Sequence, residues 1–287
     1  MEWLAVAVLA VVGVAAWQLA EGILHVLPER RFEPEPGHPE VAVNSADGLT
    51  LRAWYFPPGQ CGRVIYILHG FTDCRGGMWD HIQLFRELGF GVLAPDSRGH
   101  GTSGGDLVTF GDREAGDVLV WLAWLRQAGA REVAAFGQSM GAAVALLSLA
   151  RGAPWSHVVA EAGFTRFSRV AADKIAARAR IPGAGWLMWP VAQAGMIYAR
   201  LRYGVNLWRS NPVDAVGKAR TPVLLIHGAR DASIRARHSR ALHAAAHGSQ
   251  YWEIPEAAHT DAVLVARDEY RRRLAEFLNA PPGANRA

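Results

Sequence analysis

Cysteine and lysine are both scarce in this sequence of 287 residues. The two cysteines, Cys61 and Cys74, stand in no CxxC or Cys/His pattern, which argues against a structural metal site. A disulfide between them would matter only in an oxidising compartment, so the pair does not decide the compartment. Only two of the 30 basic residues are lysines, and the arginines are scattered along the chain. The net charge of +4 therefore does not indicate a nucleic-acid partner.

Internal repeats and low-complexity segments are also lacking. A chain of this length with 51% hydrophobic residues is long enough to build one large α/β domain. We expect that domain over residues 40–280, preceded by a linker over residues 28–39, where prolines and a glycine prevent a helix from continuing.

One long hydrophobic run is present, and it opens the chain. From Trp3 to Leu19 all residues but one are apolar or small, and the apolar character resumes at 22–27. About 20 such residues cross the hydrocarbon core of a bilayer. A cleaved secretory signal would carry positive charge before the run, whereas only the amino terminus and Glu2 precede this one. Residues 1–27 are therefore predicted to form an uncleaved, single-pass membrane anchor.

The orientation of that anchor follows from the charges that flank it. Arg30 and Arg31 lie on its C-terminal side, and positive residues favour the cytoplasmic side of a membrane. The domain after the linker is therefore predicted to be cytoplasmic and tethered to the membrane by the N-terminal helix.

Past the linker, short apolar runs alternate with helical patterns. The turn signal at 46–48 predicts a hairpin between runs 41–45 and 49–56. Further strands are predicted at 64–68, 92–95, 132–136, 157–160, 223–226 and 251–254, with helices at 78–88, 113–127, 141–150, 236–246 and 261–278. This alternation predicts an α/β fold with a mostly parallel central sheet and helices on both faces. In such sheets the chemistry gathers at the carboxyl ends of the strands.

The sequence Gly137-Gln138-Ser139-Met140-Gly141 has the form GxSxG and stands between a predicted strand and a predicted helix. The glycines allow a sharp, strained turn that exposes the serine as a nucleophile. A serine hydroxyl needs a base and an orienting acid. His259 and Asp231 follow the last two predicted strands, so both are expected at the same edge of the sheet as Ser139. The chain order Ser, Asp, His is the order of the α/β-hydrolase fold and not of the other serine-protease folds.

An oxyanion would be held by the backbone N–H groups of Met140, at the start of a helix, and of Phe71, which follows His69-Gly70. Other residues compete for the roles of base and acid. The competing bases are His69, His100 and His227, and the competing acids are Asp73, Asp96, Glu161 and Asp261. The three histidines lie in strand ends and loops that favour a structural role, and Asp261 is close enough to His259 to cap the helix that follows.

The chain resembles the α/β-hydrolase superfamily, in particular its N-terminally anchored bacterial serine hydrolases and their relatives among monoglyceride lipases, acyl-protein thioesterases and serine aminopeptidases. The resemblance covers about residues 41 to 280 and rests on segments 69–71, 96–104, 137–141 and 227–231 and on His259. One departure is Ala232-Ser233-Ile234, where relatives usually have an acidic residue and a proline.

The resemblance and the triad together imply a serine hydrolase that cleaves a carboxylic ester or thioester of a small-molecule or lipid substrate through an acyl-enzyme, with no metal or organic cofactor. A serine peptidase would use the same triad. A hydrolase-fold binding protein is disfavoured, because it would have no reason to keep all three triad residues. No oligomeric state is implied.

An insertion over about 163–211 is predicted to form a helical cap over the site. Its large side chains are Trp186, Met188, Trp189, Met196, Tyr198 and Trp208. They could line an acyl pocket, pack within the cap or touch a bilayer.

Overall fold

A sheet of eight strands runs through the centre of the protein, whose computed structural model describes residues 2–25, 37–181 and 184–281. The strands are β1 (Glu40–Asn44), β2 (Thr50–Phe56), β3 (Arg63–Leu68), β4 (Gly91–Pro95), β5 (Glu132–Gln138), β6 (Val158–Glu161), β7 (Val223–Gly228) and β8 (Gln250–Ile254). They lie in the order β1-β2-β4-β3-β5-β6-β7-β8. The hairpin strands β1 and β2 pair antiparallel and β2 pairs antiparallel with β4, whereas all pairs from β4 to β8 are parallel.

Helices cover both faces of this sheet. They are α1 (Glu2–Leu24), α2 (Trp79–Glu87), α3 (Glu114–Gln127), α4 (Met140–Leu149), α5 (Phe167–Arg178), α6 (Gly185–Tyr203), α7 (Pro212–Val216), α8 (Arg237–Ala245), α9 (Ala262–Val265) and α10 (Arg267–Asn279). Alternate side chains of β3 pack into two separate hydrophobic cores, because successive side chains of a strand point to opposite faces of the sheet. Tyr66 and Leu68 pack with α3, α4 and α8, whereas Ile65 and Ile67 pack with α2 and α10. The predicted mostly parallel sheet with helices on both faces is confirmed.

The last predicted helix, 261–278, is wrong in one respect. The chain forms α9 and α10 instead, because Ala266 between them adopts φ −128° and ψ 39°, which is not helical. The short α9 follows directly after the loop that carries His259, so this break separates the loop from the long terminal helix.

The prediction that residues 1–27 form a membrane anchor is wrong. No helix within the described part of the chain combines the length and the apolar character that crossing a membrane requires. The C-terminal half of α1 packs instead on α6, with Ala16, Ala20 and Leu24 buried. These three apolar residues therefore contact protein. The predicted localisation, a membrane with the catalytic domain on its cytoplasmic side, depended on this anchor and fails with it.

Arg30, Arg31 and most of the predicted linker, 28–39, lie outside the described residues. The linker over 28–39, the domain over 40–280 and the cap insertion at about 163–211 stay predictions. The insertion itself contains α5 and α6. Cys61 and Cys74 are both free, one exposed and one buried, so they form no disulfide.

Candidate active site

The turn between β5 and α4 carries Ser139 in a strained conformation. Its φ of 53° and ψ of −111° lie in a region that residues with a side chain rarely adopt, at a cost of about 1–3 kcal/mol. The two motif glycines make the turn sterically possible. A Cβ added at Gly137 would lie 2.4 Å from the Gly141 carbonyl oxygen, and one added at Gly141 would lie 2.1 Å from the Leu68 carbonyl oxygen. The GxSxG pattern thus has a local steric cause.

Ser139, His259 and Asp231 meet at the carboxyl ends of β5, β7 and β8. The Nε2 atom of His259 lies 3.1 Å from the Ser139 Oγ, and its Nδ1 lies 2.6 Å from the Asp231 Oδ2. A carboxylate only accepts hydrogen bonds, so Nδ1 carries the proton in the neutral ring. Nε2 is then free to accept the proton of the serine hydroxyl. His259 is 120 positions from Ser139 and 28 positions from Asp231 along the chain, yet the three side chains form one hydrogen-bonded series.

Asp231 is held as an ionised carboxylate. Its Oδ1 accepts the backbone N–H groups of Ser233 at 2.7 Å and Ile234 at 2.8 Å. Burial raises the pKa of Asp231, but hydrogen bonds from His227 and His259 outweigh that effect and hold the pKa below its ordinary value. The departure at 232–234 is therefore compatible with a well-held acid, because residues with a backbone N–H stand where the carboxylate needs donors.

The competing histidines serve the surrounding loops. His69 accepts the backbone N–H of Ser97 through Nε2 at 2.9 Å, and His100 accepts that of Thr72 at 3.3 Å. His227 lies with Nε2 2.7 Å from the Ile234 carbonyl oxygen, so it secures the loop that carries Asp231. None of these contacts involves the Ser139 hydroxyl.

The competing acids also bond elsewhere. Asp73 accepts the backbone N–H of Cys74, and Asp96 accepts those of Arg75 and Thr102. Asp261 lies at the start of α9 but makes no side-chain cap of that helix, contrary to expectation, and its Oδ1 accepts the N–H of Ala258 at 2.7 Å.

Glu161 lies buried beneath the nucleophile turn in a polar cluster that the sequence analysis did not identify. Its Oε2 accepts the Tyr270 hydroxyl at 2.7 Å and the Gln138 amide at 3.2 Å, and burial raises its pKa. The same Gln138 amide lies 3.5 Å from the Thr260 carbonyl oxygen, next to His259. His81 completes the cluster, and burial lowers its pKa to about 4. The cluster connects the nucleophile turn to the histidine loop, and no local pattern could reveal it because its members lie on separate elements.

The proposed oxyanion donors flank Ser139 from two sides. Met140 is the first residue of α4, where backbone N–H groups have no partner within the helix. On the other side, a Cβ added at Gly70 would lie 3.6 Å from the Ser139 Cβ, so the loop that carries Phe71 runs directly beside the nucleophile. Phe71 and Met140 also both line the cavity that contains Ser139.

A cavity of about 670 Å³ opens at Ser139 and His259, within the size range of small-molecule sites. It is mostly apolar and is lined by Leu19, Ile23, Phe71, Thr72, Phe110, Ser139, Met140, Phe164, Phe167, Val170, Ala171, Lys174, Ile175, Ala177, Arg178, Ser233, Ile234 and His259. The wall that the insertion contributes comes from α5, so of the three roles left open for its large side chains, lining the cavity is not the one they take. Trp186 and Trp189 are exposed on α6, and Met196 is buried against α1 and α5. Within the described ranges, no group of three or more potential metal ligands occurs.

Comparison with known proteins places this geometry in context. A family model described as "Alpha/beta hydrolase family" matches residues 65–276, about three quarters of the chain. The chain is 28% identical over 244 residues to the uncharacterized protein YqkD of Bacillus subtilis, covering 83% of this chain and 78% of that protein. It is 25% identical over 261 residues to the uncharacterized protein YfhR of Escherichia coli, covering 87% and 84%.

Among solved structures, the esterase Pf2001 of Pyrococcus furiosus superposes with a TM-score of 0.73 at 23% identity, covering 91% of this chain and all of that one. GrgF, an alpha/beta hydrolase from Penicillium, superposes with a TM-score of 0.67 at 20% identity, covering 86% and 99%. At these identities the likeness concerns the fold. The matches do not single out the lipases, thioesterases or aminopeptidases that the motifs suggested.

Proposed function

The chain belongs to the α/β-hydrolase family, and from this premise we propose that it is a serine esterase that cleaves carboxylic esters or thioesters through an acyl-enzyme on Ser139. The observation that supports the proposal most is the series of hydrogen bonds from Asp231 through His259 to Ser139. Ser139 and His259 line an apolar cavity. An apolar cavity suits the hydrocarbon part of an acyl substrate.

In the first half-reaction His259 Nε2 takes the Ser139 proton while Oγ attacks the carbonyl carbon. The resulting oxyanion accepts the N–H groups of Phe71 and Met140. When the tetrahedral intermediate collapses, the bond to the leaving oxygen or sulfur breaks and His259 gives its proton to that atom. Asp231 stabilises the imidazolium that forms in between and stays ionised.

In the second half-reaction water replaces the leaving group. His259 takes a proton from the water as its oxygen attacks the acyl carbon, and the tetrahedral intermediate collapses by breaking the bond to Ser139 Oγ. The proton on His259 returns to Oγ, and a carboxylic acid leaves. The cycle restores the starting hydrogen bonds and uses no other reagent than water.

A serine peptidase of the aminopeptidase type would share this chemistry but needs an anion to bind the substrate ammonium. Among the described residues that line the cavity, Lys174 and Arg178 carry a positive charge, and none is an aspartate or glutamate. This charge favours the esterase over the aminopeptidase.

The test combines a fluorophosphonate probe with two substrate panels. We expect the probe to label the wild type on the peptide that contains Ser139, and we expect hydrolysis of p-nitrophenyl esters but not of aminoacyl p-nitroanilides. Labelling on another residue, or none, would contradict the proposed nucleophile. Faster cleavage of the anilides would replace the esterase with the peptidase.

The activity should fall when the pH is lowered below neutrality. His259 can take the Ser139 proton only as a neutral imidazole, so the rate should drop as acid protonates this base. Asp231 affects stability in a more acidic range. Its pKa is lower in the folded protein than its ordinary value of 3.8, so the ionised carboxylate stabilises the fold above pH 3.8. That stabilisation is lost as the pH falls below this value.

Rates of ester hydrolysis measured from pH 8 to pH 4, with circular dichroism on the same samples, separate the two effects. We expect the activity to decline while the dichroism remains unchanged. A rate that stays flat to pH 4 would rule out an imidazole base.

A further inference from the structure

The N-terminal helix α1 reaches the candidate active site. Leu19 and Ile23 line the same cavity as Ser139 and His259. They are separated by four positions, so both lie on one face of α1. The apolar run in this segment predicted an anchor, and none of the family motifs includes it.

The position of α1 is fixed by packing on its neighbouring face. Ala16 and Ala20 are buried, and a Cβ added at Gly195 of α6 would lie 3.4 Å from the Ala16 carbonyl oxygen and 3.8 Å from the Ala20 Cβ. Small residues on both helices thus allow their backbones to approach closely. Leu19 and Ile23 lie on the adjacent part of the helix surface, where they line both the gap between α1, α5 and α6 and the cavity at Ser139.

Polar contacts hold α1 in the same place. The Glu21 carboxylate accepts the hydroxyl groups of Tyr198 at 2.5 Å and Tyr203 at 2.7 Å, both on α6. Hydrogen bonds from Tyr198 and Tyr203 lower the pKa of Glu21, so it remains a carboxylate at neutral pH. At the end of the helix, the Leu24 carbonyl oxygen accepts the N–H of Val108 from the main domain at 2.8 Å. The helix is therefore attached to both the cap and the domain.

From these contacts we propose that α1 forms a wall of the acyl-binding cavity and that Leu19 and Ile23 determine which acyl chains the enzyme accepts. The inference rests on the proposed esterase function and deepens it. Phe167, Val170 and Ile175 of α5 face the same space, so the apolar surface continues from α5 to α1. The substrate class it fits is an ester or thioester of an acyl chain long enough to extend from Ser139 to α1. Short acyl groups would leave this wall uncontacted.

The experiment compares two tryptophan substitutions at neighbouring positions of α1. Leu19→Trp fills the cavity, whereas Gln18→Trp adds the same side chain at an exposed position outside it. We measure kcat/KM for p-nitrophenyl decanoate and p-nitrophenyl acetate. The decanoate-to-acetate ratio should fall by about tenfold or more in Leu19→Trp, because loss of burial for even two methylenes has an effect of that size. It should remain unchanged in Gln18→Trp.

A second variant covers the case in which the larger side chain disturbs folding. Leu19→Asn adds no bulk but makes the wall polar, and it should also lower the decanoate-to-acetate ratio. Thermal unfolding of each variant identifies any loss of fold. An unchanged ratio in a folded Leu19→Trp or Leu19→Asn variant would overturn the role of α1 while leaving the esterase proposal intact.

A binding measurement separates this inference from the catalytic one. Isothermal titration of decanoate into Ser139→Ala requires no chemistry, and affinity should weaken about tenfold when Leu19→Trp is added but not when Gln18→Trp is added. If the wild type hydrolyses neither ester, the proposed function fails and the titration still decides the role of α1. Equal affinity in the two double variants would contradict it.

Discussion

Replacing Ser139 with alanine is expected to lower kcat for ester hydrolysis by about a millionfold, to the level that binding and oxyanion donors alone provide. The reason is that no other hydroxyl contacts His259 Nε2 at the mouth of the cavity among the contacts of the described residues. The KM should change little, because the apolar cavity that binds the acyl group is unaltered. Steady-state kinetics with a p-nitrophenyl ester measures both values.

Ser156→Ala is the matched control for this experiment. Ser156 precedes β6, at the amino ends of the parallel strands and therefore far from the triad. Its hydroxyl donates to the Val133 carbonyl oxygen at 3.3 Å. The control should retain full activity and fluorophosphonate labelling. Substantial ester hydrolysis by a purified Ser139→Ala protein would show that another residue is the nucleophile.

The second large effect is expected from Asp231→Asn, with kcat falling about ten-thousandfold. The replacement amide can still accept the Ser233 and Ile234 N–H groups through its oxygen, so its NH₂ group turns to His259. A donor at that position forces His259 Nδ1 to accept, and the ring proton moves to Nε2. The imidazole then presents a donor to Ser139 and cannot remove its proton.

Asp261→Asn tests whether this loss is specific. Asp261 is two residues from His259 in sequence, but its Oδ1 accepts only the Ala258 N–H in this loop. We expect at most a few-fold change in kcat, with the pH profile unchanged. If Asp261→Asn lost activity as severely as Asp231→Asn, the assignment of the orienting acid would have to be revised. Heat denaturation of both variants distinguishes lost catalysis from lost fold.

The elements of the domain could be predicted because their signals are local. Buried parallel strands such as β3 are short apolar runs, and the turn at Ser139 requires glycine on both sides because side chains there would collide with backbone. The positions of Asp231 and His259 followed from topology, since both come directly after a strand and parallel strands end at one edge. That reasoning predicted that the side chains of Ser139, Asp231 and His259 lie near one another at the carboxyl ends of the strands. It could not predict the distances between their atoms.

The N-terminal helix could not be predicted in this way. Its apolar residues have the same side chains whether they contact lipid or protein, and only the arrangement of α6 shows that this helix covers Ala16 and Ala20. The role of the large side chains in the insertion stayed open for a similar reason. Trp186 and Trp189 are exposed on α6, whereas the cavity wall comes from smaller residues of α5 that carry no distinctive pattern.

The amino-acid sequence by itself determined where most strands and helices follow one another along the chain and where the strained serine turn lies. It also determined the chain order of nucleophile, acid and base. Periodicity and backbone sterics act between near neighbours, and so they are readable along the chain. Tertiary structure alone decided the contacts of 3.1 Å and 2.6 Å in the triad, the buried cluster around Glu161 and the contribution of α1 to the cavity. Those contacts join residues remote in sequence, and their partners are set by how whole elements pack.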